Sequence, residues 1–185
     1  METSAFVVLC INFLFIAALP VIFFNKGSGN KMWFLTGGSF FISPIFFIGI
    51  YADLLQPLVV VDYAYFWLSQ IIGTILSIVS IGLMALTIGT HRIPLALWHQ
   101  ADDVPVNIVT WGAYRRIRHP FYTSFILAQL GCVLIAPHIG VLLMLIYAFL
   151  ILNYTAAKEE KKLSASEFGD EYKAYMSNTG RFFPL

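Results

Sequence analysis

The chain has 185 residues, of which 59% are hydrophobic and only 11% charged, with a net charge of +1. A soluble domain carries about 25% charged residues, so a water-soluble globule is excluded. The near-neutral balance gives no electrostatic footing for nucleic acid.

Five apolar stretches dominate, at 5–24, 32–50, 64–89, 121–136 and 139–153. Backbone groups in lipid must be satisfied within their own segment, so these stretches predict transmembrane helices. The first three approach or exceed the roughly 20 residues a helix needs to cross the hydrocarbon. The last two are short and read as a tight hairpin turning at 137–140, with local thinning or snorkelling making up the length. The start is not expected to be a cleaved signal: it has Glu2, no basic region, and too long an apolar stretch.

Gly27-Ser28-Gly29-Asn30 predicts the turn between the first two helices. Pro44 predicts a kink or local break in the second. Ser69, Gly73 and Ser77, four residues apart, form a small-residue ridge that permits close helix approach in the third. Cys10 and Cys132 both fall inside apolar spans and read as small core residues. Asp53 and Asp62 read as solvated charges.

All eleven Lys and Arg fall on one side of these spans: Lys26 and Lys31, then Arg92, Arg115, Arg116 and Arg118, then Lys158, Lys161, Lys162, Lys173 and Arg181. Basic residues are retained on the cytoplasmic face. The expected topology has the N-terminus outside and the C-terminus cytoplasmic. The two larger polar regions, 91–119 and 158–185, then meet on the cytoplasmic face, where chemistry is expected. The segment 90–118 is too long for a simple connector in a helical bundle. Its Trp98, His99, Asp102, Asp103, Trp111 and Tyr114 suit a segment folded over a ligand. Residues 158–177 read as one amphipathic surface helix, with Leu163, Phe168, Tyr172, Tyr175 and Met176 at near-helical spacing.

Two clusters carry chemistry. Arg118-His119-Pro120-Phe121-Tyr122 opens the fourth span. Pro120 suits the first helical turn, and a helix start beside Arg118 attracts a carboxylate or phosphate. By itself the cluster reads equally as an interfacial anchor. Lys158-Glu159-Glu160-Lys161 follows the fifth span. Its carboxylates suit an ammonium or ribose hydroxyls, though Glu is also common in exposed helical turns.

In order and spacing, these pieces resemble the isoprenylcysteine carboxyl methyltransferases, a family of integral membrane enzymes. The shared set is Gly112 and Tyr114, Arg118-His119-Pro120-Phe121-Tyr122, a hydrophobic hairpin, Glu159-Glu160, Phe168-Gly169-Asp170-Glu171-Tyr172-Lys173-Ala174-Tyr175, and Arg181-Phe182-Phe183-Pro184. The resemblance covers 106–185; the first three helices match in hydropathy alone. It implies an all-α membrane protein with about five transmembrane helices and a cytoplasmic C-terminal amphipathic helix. It forms a single domain, with a three-helix part at 1–90 and a cofactor-binding part at 91–185.

The resemblance further implies S-adenosylmethionine as cofactor, and a lipid-like or isoprenoid acceptor entering from the membrane. Carried over by position, Val106, Asn107, Ile108, Val109, Tyr114, His119, Pro120, Phe121 and Tyr122 resemble cofactor-pocket segments. Glu160, with Glu159 beside it, resembles the cofactor-binding carboxylate, and Arg118 suits the methionine carboxylate. His99 falls near another contact. A carboxylate acceptor would need no general base whereas a protonated amine or thiol would first lose its proton, so no catalytic residue is assigned; no metal site is expected. The phospholipid amine N-methyltransferases share the His-Pro-x-Tyr and Glu-Glu elements and are the alternative, although Lys161 stands where they continue with Pro. An NADPH-dependent sterol-reductase-like protein and a non-enzymatic scaffold are more distant alternatives. The sequence departs from the first family at Ala156, where the relatives carry a substrate-side Arg.

Overall fold

The computed structural model describes residues 1–23, 31–58, 63–90 and 108–185. The turn read at Gly27–Asn30 and the residues Trp98, His99, Asp102, Asp103, Val106 and Asn107 lie outside them. The described elements are six α-helices: α1 (Thr3–Phe23), α2 (Lys31–Tyr51), α3 (Tyr63–Thr90), α4 (Pro120–Ile135), α5 (Ile139–Ser164) and α6 (Gly169–Ser177), with a 3₁₀ turn at Gly112–Arg115 ahead of α4. This is an all-α membrane architecture. Three helices are long and apolar enough to span a membrane, over Phe34–Tyr51, Tyr65–Thr90 and Ile139–Ser164, and Thr3–Leu19 and Pro120–Ile135 are shorter apolar helices.

Two boundaries differ from the sequence reading. The fifth helix does not stop near Asn153 but continues to Ser164. Hydropathy falls at Lys158, yet Lys and Glu are good helix formers, so the apolar face ends while the helix does not. At 1.5 Å per residue its 26 residues rise about 39 Å, more than the ~30 Å of hydrocarbon. Residues 158–177 are accordingly not one helix. The chain breaks at 165–168, where Ser166 Oγ donates to the Leu163 carbonyl at 2.7 Å, and α6 then starts at Gly169. A Cβ on Gly169 would lie 2.5 Å from the Ser164 carbonyl oxygen, so the reversal needs glycine. Pro44 lies within α2, which is not interrupted there.

The small-residue ridge on α3 is a helix contact. Gly73 faces Gly131 and Ile135 of α4, and a Cβ on Gly131 would lie 2.6 Å from Ser77 Oγ. Polar side chains bridge the same seam: Ser80 donates to the Ser124 carbonyl at 2.7 Å, and Gln70 to the Ile135 carbonyl at 3.0 Å. Phe13, Phe40, Phe47 and Phe125 fill the centre, with ring centroids 4.7–5.3 Å apart from Phe13 to Phe40 and from Phe40 to Phe125. At one end, Leu58 N–H donates to the Pro137 carbonyl at 2.6 Å, which fixes the chain after α2 to the α4–α5 turn. The opposite end gathers the C-terminus of α3, the start of α4, the end of α5 and the tail. The chemistry-bearing clusters are there.

Candidate functional site

Gly112 has φ +59°, a left-handed conformation that favours glycine, and lets the 3₁₀ turn fold beside Thr90 at the end of α3. From there a turn at Arg116 and the single bridge residue Ile117 lead to α4, with His119 at the N-cap and, as the sequence predicts, Pro120 in the first turn. The tail lies alongside. Arg118 N–H donates to the Gly180 carbonyl at 2.8 Å, and His119 N–H to the Arg181 carbonyl at 3.0 Å. Thr123 Oγ1 donates to the Phe182 carbonyl at 2.8 Å. Only glycine fits at 180, where a Cβ would overlap the Phe183 carbonyl.

This strapping brings two guanidinium groups onto one carboxylate. Glu160 is 4% exposed. Arg118 Nε donates to its Oε1 at 2.9 Å, and Arg181 Nε reaches Oε1 and Oε2 at 3.1 Å each. Arg181 Nη1 continues up the same helix to Asn153 Oδ1 at 2.8 Å. Arg118 Nη1 also donates to the carbonyls of Met176 and Thr179. Arg118, expected beside the anionic end of a cofactor, is thus turned inward and largely engaged. The sequence reading did not assign Arg181, Asn153 or Thr179 to the site. The terminal Arg-x-x-Pro pattern was the signal for Arg181; Asn153 and Thr179 had none.

Glu159 is placed differently. Its side chain retains 26% exposure. Tyr122 Oη donates to its Oε1 at 3.0 Å, and His119 Nδ1 stands 3.5 Å from its Oε2. His119 Nε2 is 3.3 Å from Glu160 Oε1 but off the line of a hydrogen bond, so this buried atom lacks a partner among the described residues. The imidazole lies nearly parallel to the Tyr122 ring, centroids 5.4 Å apart. Burial lowers the basicity of His119; Glu160 pulls it up, and Arg118 and Arg181 push it down. The net effect is a neutral imidazole between the Glu159 and Glu160 side chains.

Of the residues expected at the site, Arg118, His119, Tyr122, Glu159 and Glu160 meet in one cluster. Tyr114 joins it through the tail, its carbonyl accepting from Tyr175 Oη at 2.6 Å. Pro120 shapes the helix start. Phe121 instead points into the bundle, its ring 4.8 Å from Phe125. Ile108 and Val109 are half-buried on the approach to the 3₁₀ turn.

Residues 68–171 match the family model described as phospholipid methyltransferase. The chain belongs to this family. The matched span runs from α3 to α6 and contains both charged clusters. With the helical bundle, membership makes the chain an integral membrane methyltransferase. The match carries no isoprenylcysteine-specific assignment. A comparison with curated proteins found no match.

Proposed function

We propose that the chain transfers a methyl group from S-adenosylmethionine to a lipid-embedded or apolar acceptor, at the end of the bundle where α4 begins and α5 ends. The observation that carries this reading is the division of labour between adjacent carboxylates. Glu160 has its charge balanced by Arg118 and Arg181, whereas Glu159 keeps partial exposure and, among the described residues, meets Tyr122 and His119. A carboxyl group with no guanidinium beside it among the described residues, next to a buried imidazole nitrogen with no well-aligned hydrogen bond, fits a ligand that brings its own cation and hydrogen-bonding groups. Glu159 would take the ammonium or the ribose hydroxyls, and Tyr122 and His119 would orient it. Glu160 would hold this arrangement from behind.

When bound, the cofactor supplies an activated methyl on a sulfonium. The protein's work is then alignment and exclusion of water. The tail strap and the buried Tyr122 serve both. A carboxylate acceptor needs no general base; a protonated amine must first lose its proton. Ala156 is fully buried and Lys158 exposed, so α5 offers no guanidinium of its own toward an acceptor carboxylate. We place the site on the cytoplasmic face, from the one-sided Lys and Arg.

The test is methyl transfer from labelled S-adenosylmethionine by the purified chain, with total lipid extract, a phosphatidylethanolamine series and a prenylcysteine panel as acceptors, beside titration with NADPH. Incorporation into a lipid-embedded or apolar acceptor is expected, and the panel decides between a lipid amine and a prenylcysteine. NADPH binding with no S-adenosylmethionine binding would overturn the reading.

A further inference from the structure

Two buried polar atoms in the apolar middle of the bundle have no hydrogen-bond partner among the described residues: Ser39 Oγ on α2 and Gln129 Nε2 on α4. Both residues are completely buried. They are also near one another. Ser43, one turn after Ser39 on the same face of α2, donates to Gln129 Oε1 at 2.9 Å. The unpaired end of the Gln129 amide therefore lies about one helical turn from Ser39. On the other side, Tyr147 of α5 donates to the Leu35 carbonyl at 2.7 Å, one turn before Ser39. A Cβ on Gly38 would stand 3.8 Å from that same hydroxyl. Ser39 thus opens on the junction of α2, α4 and α5. Pro44 has no N–H to give the Phe40 carbonyl, which leaves a backbone acceptor close by on α2.

Both unpaired groups are donors, a hydroxyl and an amide N–H. Reversing the amide would still leave one of its ends unpaired. Unpaired donors are costly in an apolar bundle, and buried waters characteristically bond such groups, with about three partners each. The polar groups described at this junction are all neutral, so it suits a neutral ligand. Complete burial suits a small one. We propose that Ser39 Oγ and Gln129 Nε2 jointly hold a buried water at the α2–α4–α5 junction. Gln129 comes seven residues after Tyr122, two turns along the same face of α4. The water thereby fixes the depth of the helix whose start carries His119 and Tyr122. This inference does not depend on the proposed reaction.

The test uses the full chain in lipid nanodiscs. A thermal-unfolding cycle of Ser39→Ala, Gln129→Met and the double variant should show Ser39→Ala lowering Tm by about 2–4 °C. The double variant should lose less than the sum, because both singles release the same water. A neutral or stabilising Ser39→Ala with additive losses would overturn the proposal. NMR on the unmodified chain reads the site directly. A cross-relaxation peak between water and the Gln129 side-chain amide is expected. A peak to lipid protons in its place would assign the site to a lipid oxygen and overturn the water, as would no peak at all.

Discussion

Replacing Glu160 by Gln tests the two adjacent carboxylates most sharply. The substitution keeps size and removes the charge that Arg118 and Arg181 share. Removing one partner of a buried ion pair costs about 3–5 kcal/mol. Here the cost is smaller. Arg118 keeps the Met176 and Thr179 carbonyls, and Arg181, whose side chain is 32% exposed, is partly screened by solvent. We expect a loss of about 2–3 kcal/mol. At about 2–4 °C per kcal/mol for a chain of this size, Tm falls by roughly 4–12 °C. Glu159→Gln should behave oppositely. Its amide oxygen still accepts from Tyr122 Oη, so Tm stays near that of the parent. S-adenosylmethionine binding should weaken by about 1.5–3 kcal/mol, the range for a bond to a charged group, or about tenfold to a hundredfold in Kd. Thermal unfolding and calorimetry on the same purified samples read both quantities. The reasoning fails if Glu160→Gln leaves Tm unchanged, or if the folded Glu160→Gln protein loses the cofactor while Glu159→Gln binds it normally.

Three further outcomes follow from the same geometry. His119 has a folded-state pKa below its ordinary value of 6.5 because it is buried, so its contribution to stability is fully present above about pH 6.5 and is lost as pH falls through the folded value; Tm measured from pH 8 to 5 should drop less steeply in His119→Gln. At the α3–α4 crossing, Gly131→Ala puts a Cβ 2.8 Å from the Gly73 carbonyl oxygen and should cost about 1–3 kcal/mol by overpacking, whereas Gly82→Ala, with nothing within 4 Å of its Cβ, should be neutral or stabilising by up to about 1 kcal/mol; denaturation midpoints separate the two. A reporter fused at Leu185 should read cytoplasmic and one inserted near Leu54 external, and an external C-terminus would overturn the orientation.

The sequence by itself determined the all-helical membrane architecture, because continuous apolar stretches without the alternation of a barrel strand can satisfy their backbone hydrogen bonds in lipid only as helices. It also set the start of α4, because Pro120 fixes its own φ and needs no N–H donor there. The Ser69, Gly73 and Ser77 spacing announced a close helix contact, since residues four apart share a helix face. Hydropathy could not locate the end of α5, because a charged segment leaves the membrane without leaving the helix. Nor could local pattern tell Glu159 from Glu160. Adjacent residues on a helix point about 100° apart, so one meets Arg118 and Arg181 while the other meets Tyr122, with His119 between the two. Which faces which depends on where α5 lies against α4 and on the tail returning over both. Arg181 is 21 residues from Glu160 and 63 from Arg118 along the chain. Its place between Asn153 and Glu160 comes from tertiary packing, in which the Ile117–Gly180 bridge sets the tail in register with the segment before α4.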